Sequence, residues 1–235
     1  SAAGATGRPA TMSLFETRAA VLLAVPQLIG YLRALLYVVG FAMMDRASVA
    51  GVPGYVVCLV CYTIAFVLDV FDGMVARKLD QCSILGNVLD MVLDRSATAA
   101  LLGTLAGVYP DARLYFAFLI ALDVSSHWFH TASCQLNPAQ GHHKAKDTLK
   151  NRNWLLQVYY GIYPLFGYCC VGTEVFYILL LALSYSPSSA LASFTWYVCF
   201  PACVLKNVVN VMQLWSAMVA ISELDVQASK ASKAT

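Results

Sequence analysis

Long apolar runs separated by short polar segments make up most of the chain. Six of these runs reach about 20 residues, the length of a helix that crosses the hydrocarbon core of a bilayer. The predicted spans are residues 21–44, 52–72, 85–108, 113–134, 154–184 and 193–222. The pattern therefore predicts an all-α, polytopic membrane protein with six transmembrane helices. We expect flexible segments at residues 1–20 and 223–235, outside this helical domain of residues 21–222.

The composition agrees with a lipid environment. Of the 235 residues, 60% are hydrophobic and 12% are charged, whereas soluble domains carry about a quarter charged residues. A formal net charge of +2 gives no reason to expect a nucleic-acid partner. Six of the eight cysteines lie inside apolar runs, where Cys behaves as a small hydrophobic residue. We therefore expect no metal or redox role for them.

The basic residues between the predicted spans are distributed unevenly. If both termini face the cytosol, ten of the fifteen Lys and Arg residues lie on the cytosolic side. The opposite side then holds Arg46 and Arg113, and three basic residues fall within spans. Because cytoplasmic loops carry the excess of Lys and Arg, we expect both termini in the cytosol. The first twenty residues lack a signal-peptide pattern, so we expect the first span to be retained.

Four carboxylates lie where the second span ends and the third begins. Asp69 and Asp72 belong to the second span, and Asp90 and Asp94 to the third. A charged side chain at the centre of a bilayer costs roughly 2.5–3.5 kcal/mol on insertion scales, so four of them require a compensating cation. Residues three or four apart share a helix face. Two facing helices would therefore bring the four carboxylates together.

Three interpretations fit this acidic cluster. Oxygen donors suit a hard divalent ion such as Mg²⁺ or Mn²⁺, and four carboxylates have room for two ions. The carboxylates could instead pair with cationic side chains, for which Arg77, Lys78 and Arg95 are candidates. Intramembrane carboxylates also form the pathways of cation or proton transporters. A transporter would spread its acidic residues across the membrane, whereas these are predicted to lie at one end of both spans.

The spacing of these residues resembles the signature of CDP-alcohol phosphotransferases. It reads Asp69-x-x-Asp72-Gly73-x-x-Ala76-Arg77 and, eight residues later, Gly86-x-x-x-Asp90-x-x-x-Asp94. The resemblance implies that family's fold, a two-metal site and a homodimer. It implies metal binding by Asp69, Asp72, Asp90 and Asp94, with Asp94 also the general base. It implies binding of CDP-diacylglycerol by Gly73, Ala76, Arg77 and Gly86.

Two other segments, residues 25–33 and 122–130, resemble the eukaryotic phosphatidylinositol synthases of this family. That resemblance implies transfer of a phosphatidyl group from CDP-diacylglycerol to myo-inositol in the endoplasmic reticulum membrane, with the Golgi as an alternative. Glycerol 3-phosphate, serine and choline stay open as other acceptors. Gln27 departs from the pattern, which leads us to expect Asn there. Arg33 could serve a lipid headgroup, a CDP phosphate or helix pairing.

Polar residues within the fourth and sixth spans are candidates for an acceptor site. Asp123, His127 and His130 share one helix face by their spacing. This face could form an internal hydrogen-bond network, or it could supply donors and acceptors for inositol hydroxyls. Lys206 could either contact substrate or extend its ammonium to the membrane surface. We expect inositol binding by His127, His130, Lys144 and Lys206.

Overall fold

The structure, a computed structural model, describes residues 17–136 and 154–234. The described chain is helical apart from short connections and one isolated bridge between Val49 and Val52. It forms two compact units, Ser1–Ala97 and Thr98–Thr235. The helices that begin in the first unit are α1 (Arg18–Leu22), α2 (Val25–Met43), α3 (Gly54–Lys78) and α4 (Ile84–Val108).

The second unit continues from the end of α4. Its elements are a 3₁₀ turn (Pro110–Ala112), α5 (Arg113–Leu136), α6 (Trp154–Gly161), α7 (Tyr163–Tyr185), α8 (Ser189–Phe194), a π-helical turn (Thr195–Cys199) and α9 (Phe200–Ala234). Tyr109, just before the 3₁₀ turn, donates a hydrogen bond to the carbonyl of Leu180 at 2.9 Å. This bond ties the start of the unit to α7.

Five helical segments are long and apolar enough to cross a membrane: Val25–Met43, Gly54–Lys78, Ile84–Val108, Tyr163–Tyr185 and Ser189–Lys233. The predicted all-α membrane fold is confirmed for the described residues. The remaining predicted span corresponds to α5, which is long enough at 24 residues. It falls outside the apolar group because its polar face, including Asp123 and His127, lowers its mean hydropathy.

The polarity of the helix surfaces also indicates lipid as the surrounding solvent. Leu35, Val38 and Val60 are among many large apolar side chains that are more than half exposed. By contrast, Gln27 and Arg33 are fully buried on α2. Soluble proteins rarely expose continuous apolar surface of this kind, and buried charges require partners. In the first unit, polar side chains such as Gln27 and Arg33 are therefore buried, whereas many large apolar side chains face outward.

Close packing of α2 against α3 positions the polar residues of the first unit. The rings of Tyr37 and Tyr62 lie 5.1 Å apart between centroids. Buried Gly40 lies so near α3 that a Cβ there would be 3.0 Å from the Cβ of Cys61. At the turn between the helices, a Cβ on Gly54 would overlap backbone carbonyl oxygens, so the turn requires glycine. These contacts hold the middle of α2 beside α3.

The connection between α3 and α4 begins later than the sequence pattern suggests. The second span was expected to end at residue 72, yet α3 continues through the polar signature to Lys78. Arg77 and Lys78 in its last turn stabilise this helix end, because positive charges interact favourably with the negative end of the helix dipole. Asp80 then adopts a left-handed conformation with φ 53°. Ser83 Oγ accepts a hydrogen bond from the Gly86 N–H at 2.9 Å and so caps the start of α4.

Two other expectations differ from the structure. The predicted span 154–184 is two helices, because the chain leaves helical geometry at Ile162 (φ −103°, ψ 89°) and Pro164 opens the first turn of α7. The segment expected to form a flexible tail instead continues α9 as far as Ala234, since its Ala, Gln and Lys residues are good helix formers. Residues 1–16 of the predicted N-terminal segment lie outside the described residues.

Candidate active site

Three signature carboxylates of the first unit lie together. Asp69 and Asp72 project from one face of α3, and Asp90 projects from α4. Each offers a carboxylate oxygen within 4.8 Å of those of the other two. Asp94, one turn beyond Asp90, joins them through a shared partner. The carboxylates therefore converge in one place, as predicted for local chemistry and unlike the spread across depth expected of a transporter.

The shared partner is Arg33 of α2. Its Nη1 donates to Asp72 Oδ2 at 2.5 Å and to Asp90 Oδ1 at 3.0 Å. Its Nη2 lies 2.7 Å from Asp69 Oδ1 and donates to Asp94 Oδ1 at 2.6 Å. The Arg33 side chain is fully buried, while that of Asp90 is 49% exposed. The cation that four intramembrane carboxylates require is thus an arginine from a third helix.

The sequence analysis gives other cations, Arg77, Lys78 and Arg95, as candidates to pair with the four carboxylates. Arg95 reaches the cluster at its edge, with Nη2 3.7 Å from Asp94 Oδ2. Arg77 turns back along α3, so that a Cβ on Gly73 would lie 3.4 Å from its Nη1. Of the three roles that the sequence allows for Arg33, helix pairing is closest to what the structure shows. The signal that could have identified it is an arginine within an otherwise apolar span.

The donor set of the cluster fits a divalent metal ion. The group of Asp69, Asp72 and Asp90 offers only oxygen ligands, which Mg²⁺ and Mn²⁺ prefer. The partial exposure of Asp90 leaves a route from solvent to the carboxylates. Burial lowers the effective dielectric around these groups, which strengthens their attraction for a cation. The structure therefore contains an aspartate cluster that could hold metal.

A cavity of about 100 Å³ adjoins the cluster within the first unit. Asp72 and Asp90 contribute to its wall. The wall also contains every residue predicted to bind CDP-diacylglycerol: Gly73, Ala76, Arg77 and Gly86. The structure thus brings these residues together around one space that begins at the carboxylates. Their contact with a nucleotide stays a prediction.

Polar groups in the cavity wall outside the signature were not predicted as site residues. Gln27 Nε2 donates to Ser83 Oγ at 2.7 Å, while Gln27 Oε1 is buried with no hydrogen-bond partner among the described residues. Gln81 Oε1 accepts from the backbone N–H of Val25 at 3.2 Å. Gln81 and Ser83 fall in the variable spacer of the signature, which is why its pattern does not mark them.

In the second unit, the polar faces of α5 and α9 form a connected network. Lys206 Nζ donates to Asn210 Oδ1 at 2.7 Å, and Asn210 Nδ2 donates to Asp123 Oδ1 at 3.2 Å. His127 Nδ1 lies 3.6 Å from Asp123 Oδ1 and 2.8 Å from the Asp123 carbonyl oxygen. Asp123 and Asn210 are buried. The internal network considered for these residues is therefore present.

The structure shows the surroundings of some of the predicted acceptor residues without testing whether they bind inositol. Lys206 takes part in the network through Asn210, which is evidence against the alternative that its ammonium extends to the membrane surface. His130 Nε2 lies 4.0 Å from Cys134 Sγ on the same helix. Lys144 lies outside the described residues. Inositol binding by these side chains stays a prediction.

Comparison with known proteins defines the class to which this fold and site belong. A family model described as CDP-alcohol phosphatidyltransferase matches residues 23–222. The chain belongs to that family. It is 34% identical over 230 residues to the CDP-diacylglycerol–inositol 3-phosphatidyltransferase of Schizosaccharomyces pombe, covering 89% of this chain and 93% of the relative.

Two other relatives have the same name in their own organisms. The human CDP-diacylglycerol–inositol 3-phosphatidyltransferase is 34% identical over 210 residues, covering 87% of this chain and 94% of the relative. CDP-diacylglycerol–inositol 3-phosphatidyltransferase 1 of Arabidopsis thaliana is 40% identical over 171 residues, covering 73% and 70%. No solved structure matches the chain.

Proposed function

We propose that this protein transfers the phosphatidyl group of CDP-diacylglycerol to myo-inositol, giving phosphatidylinositol and CMP. The observation that carries the proposal is the convergence of signature carboxylates beside a cavity lined by the predicted CDP-diacylglycerol residues. Support for inositol as the acceptor comes from relatives in three organisms that share the inositol-transferring name.

The reaction forms one phosphorus–oxygen bond and breaks another. A hydroxyl oxygen of inositol attacks the phosphorus that carries the diacylglycerol, and the bond from that phosphorus to the oxygen of CMP breaks. The bonding electron pair leaves with CMP, and the hydroxyl proton passes to a base. The chain therefore has to bind two substrates, align them and accept one proton.

The residues that would hold metal are Asp69, Asp72, Asp90 and Asp94, and we propose two ions, Mg²⁺ or Mn²⁺. Bound divalent ions would offset the charge of the pyrophosphate and stabilise the departing CMP. The oxygen-only donor set supports this assignment. Carboxylates from both α3 and α4 would be available to hold the ions.

Asp94 is the residue that we propose as general base. Its Oδ1 accepts a hydrogen bond from Arg33 Nη2 at 2.6 Å, whereas its Oδ2 lies 3.7 Å from Arg95 Nη2. The short contact fixes the orientation of the carboxylate. The second oxygen, with the longer contact, is then available for a proton. A correctly placed base is worth about 10² to 10⁴ in rate.

Small residues in the cavity wall support the proposed nucleotide site. A Cβ on Gly86 would lie 3.2 Å from Ser83 Oγ, and one on Gly73 would lie 3.4 Å from Arg77 Nη1. Larger side chains at either position would therefore narrow the cavity or move Arg77. Beside the cavity, the Arg77 guanidinium can form charge-assisted hydrogen bonds with a phosphate. Ala76 completes the small-residue wall.

For inositol, we propose contacts from His127, His130, Lys144 and Lys206. A cyclic polyol needs several hydrogen-bond donors and acceptors at once. The network around Asp123 holds His127 and Lys206 in defined positions. Side chains fixed in this way lose little entropy when they bind a ligand.

The proposal also covers the membrane location, the orientation and the oligomeric state of the protein. The five apolar segments make it a multi-pass membrane protein. We propose that it works as a homodimer in the endoplasmic reticulum membrane, with the Golgi as an alternative. The excess of basic residues on one side supports a cytosolic location for both termini and for the active site.

A CMP-release assay with a panel of alcohols tests the function. Purified protein in micelles of CDP-diacylglycerol with Mg²⁺ or Mn²⁺ should release CMP when myo-inositol is added. Glycerol 3-phosphate, serine and choline should give no release above the rate without acceptor. Release with one of these alcohols and none with inositol would contradict the proposed acceptor, while leaving the family's transfer chemistry intact.

A further inference from the structure

Arg33 joins three helices at one point. It projects from α2, its side chain is fully buried, and all four signature carboxylates lie within 3.0 Å of its guanidinium. An arginine in a protein stays protonated at every accessible pH. The acidic cluster therefore includes a permanent positive charge that does not depend on any ligand.

The pairing follows the geometry of the guanidinium. Nη1 contacts Asp72 of α3 and Asp90 of α4, and Nη2 contacts Asp69 of α3 and Asp94 of α4. Each terminal nitrogen thus connects the same two helices. A planar fork with several donors can do this, whereas the compact ammonium of lysine cannot reach four carboxylates in one fixed arrangement.

The net charge of the cluster affects how strongly it binds a divalent ion. Four carboxylates and one guanidinium leave an excess of negative charge in a site of low dielectric, where like charges repel strongly. Removing Arg33 would increase this repulsion between α3 and α4. A divalent ion binds to the same kind of oxygen lone pair that Arg33 uses. The guanidinium and the ion therefore compete for one set of acceptors.

We propose that Arg33 is the positioning residue of the acidic site, holding the two pairs of aspartates in register and limiting how tightly the site binds divalent ions. The inference rests on the metal-dependent function proposed above. It assigns to a residue outside the signature a measurable effect on the affinity for metal. A residue with a merely structural role would weaken metal binding when replaced, whereas this one should strengthen it.

The test measures Mn²⁺ binding and stability without substrates. Full-length wild type, Arg33→Gln and Arg33→Lys are purified in nanodiscs. Free Mn²⁺ is followed by its electron paramagnetic resonance signal during titration, and thermal unfolding is measured in EDTA and in saturating Mn²⁺. Arg95→Gln is the matched control, because it also removes a positive charge, but one whose contact with Asp94 is 3.7 Å long, whereas Arg33 contacts all four carboxylates within 3.0 Å.

We expect Arg33→Gln to unfold at a lower temperature than wild type in EDTA and to bind Mn²⁺ about tenfold more tightly, since a positive charge beside the ion is gone. Its stabilisation by Mn²⁺ should exceed that of wild type. Arg33→Lys should keep a Mn²⁺ affinity near wild type, because the charge remains, but should lose stability in EDTA. Arg95→Gln should change both quantities less than Arg33→Gln.

Weaker or unchanged Mn²⁺ binding by Arg33→Gln would overturn the proposal. If that variant does not fold in EDTA, Arg33→Lys decides: stability in EDTA equal to wild type would overturn the positioning role. Absence of Mn²⁺ binding by folded wild type would overturn the metal site itself, and with it this inference. A wrong choice of acceptor alcohol leaves all these measurements unaffected, because no acceptor is present.

Discussion

Asp90 and Asp94 lie one turn apart on α4, yet their surroundings differ. Asp90 belongs to the three-carboxylate group and is 49% exposed. Asp94 is 30% exposed and is oriented by Arg33. Two identical side chains in different environments can take different chemical roles. The arrangement is consistent with a ligand at Asp90 and a base at Asp94.

Replacing Asp94 by Asn should separate these roles. The amide keeps an oxygen for a metal ion but cannot accept a proton, so turnover should fall by about 10² to 10⁴ while CDP-diacylglycerol binding survives. Asp69→Asn is the matched change at a residue of the three-carboxylate group. It should weaken metal and nucleotide binding together. The measurements are inositol-dependent CMP release and a CDP-diacylglycerol titration in Mg²⁺.

Two results would contradict this assignment. If Asp94→Asn lost nucleotide binding as severely as Asp69→Asn, Asp94 would act as a ligand without evidence for a base. If it kept near-normal turnover, the proton would have to pass to another group, with His127 the first candidate. Intact protein in both variants, judged by size-exclusion chromatography, is the necessary control.

At the scale of residues, spacing along the sequence predicted the acidic group well. Asp69 and Asp72 share a face of one helix, as do Asp90 and Asp94, so their convergence needed only that α3 and α4 face each other. The position of Arg33 depended on how a third helix packs. Sequence spacing carries no information about that rotation, so the need for a cation was predicted and its identity was not.

Within the second unit, α7 and α9 lie close together at Gly172. A Cβ there would lie 2.6 Å from the Cβ of Ala202, whereas a Cβ on Gly167 of the same helix would have no neighbour within 4 Å. Small residues at helix interfaces allow membrane helices to pack tightly. Gly172 should therefore contribute to stability through packing and Gly167 should not.

Alanine substitution tests this difference. Gly172→Ala should destabilise the protein by about 1–3 kcal/mol, because the added methyl overpacks the interface. Gly167→Ala should be neutral or stabilising by up to about 1 kcal/mol, because alanine is the better helix former. Thermal unfolding of both variants in the same detergent measures the effect. Equal stability of the two would show that α7 and α9 do not meet at Gly172.

Hydropathy predicted some transmembrane helices better than others, and each difference from the structure has a physical cause. Hydropathy located the apolar helices because each has about the length needed to cross the bilayer core, or more. It missed the break at Ile162, where apolar residues continue on both sides and only Pro164 marks a new helix start. It also treated α5 as an ordinary span, although its polar face places it below the five apolar segments.

For the molecule as a whole, the basic residues predict the orientation in the membrane. Arg77 and Lys78 lie in the last turn of α3, and Arg46 lies in the connection before it. The α3–α4 connection, which includes Cys82, should then face the cytosol. The α2–α3 connection, which includes exposed Ser48, should face the opposite side. Composition predicted a membrane protein, while its orientation depends on these few charges.

Cysteine labelling in sealed endoplasmic reticulum microsomes, whose outer surface is cytosolic, tests the orientation. A membrane-impermeant maleimide should modify Cys82 without detergent, and Cys82→Ser should lose that label. In the Cys82→Ser background, Ser48→Cys should be modified only after detergent opens the vesicles, because its connection is predicted to face the lumen. Mass spectrometry of the two peptides measures each site separately. Labelling of Ser48→Cys in sealed vesicles, together with no labelling of Cys82 in the sealed wild type, would reverse the orientation and place the active site in the lumen.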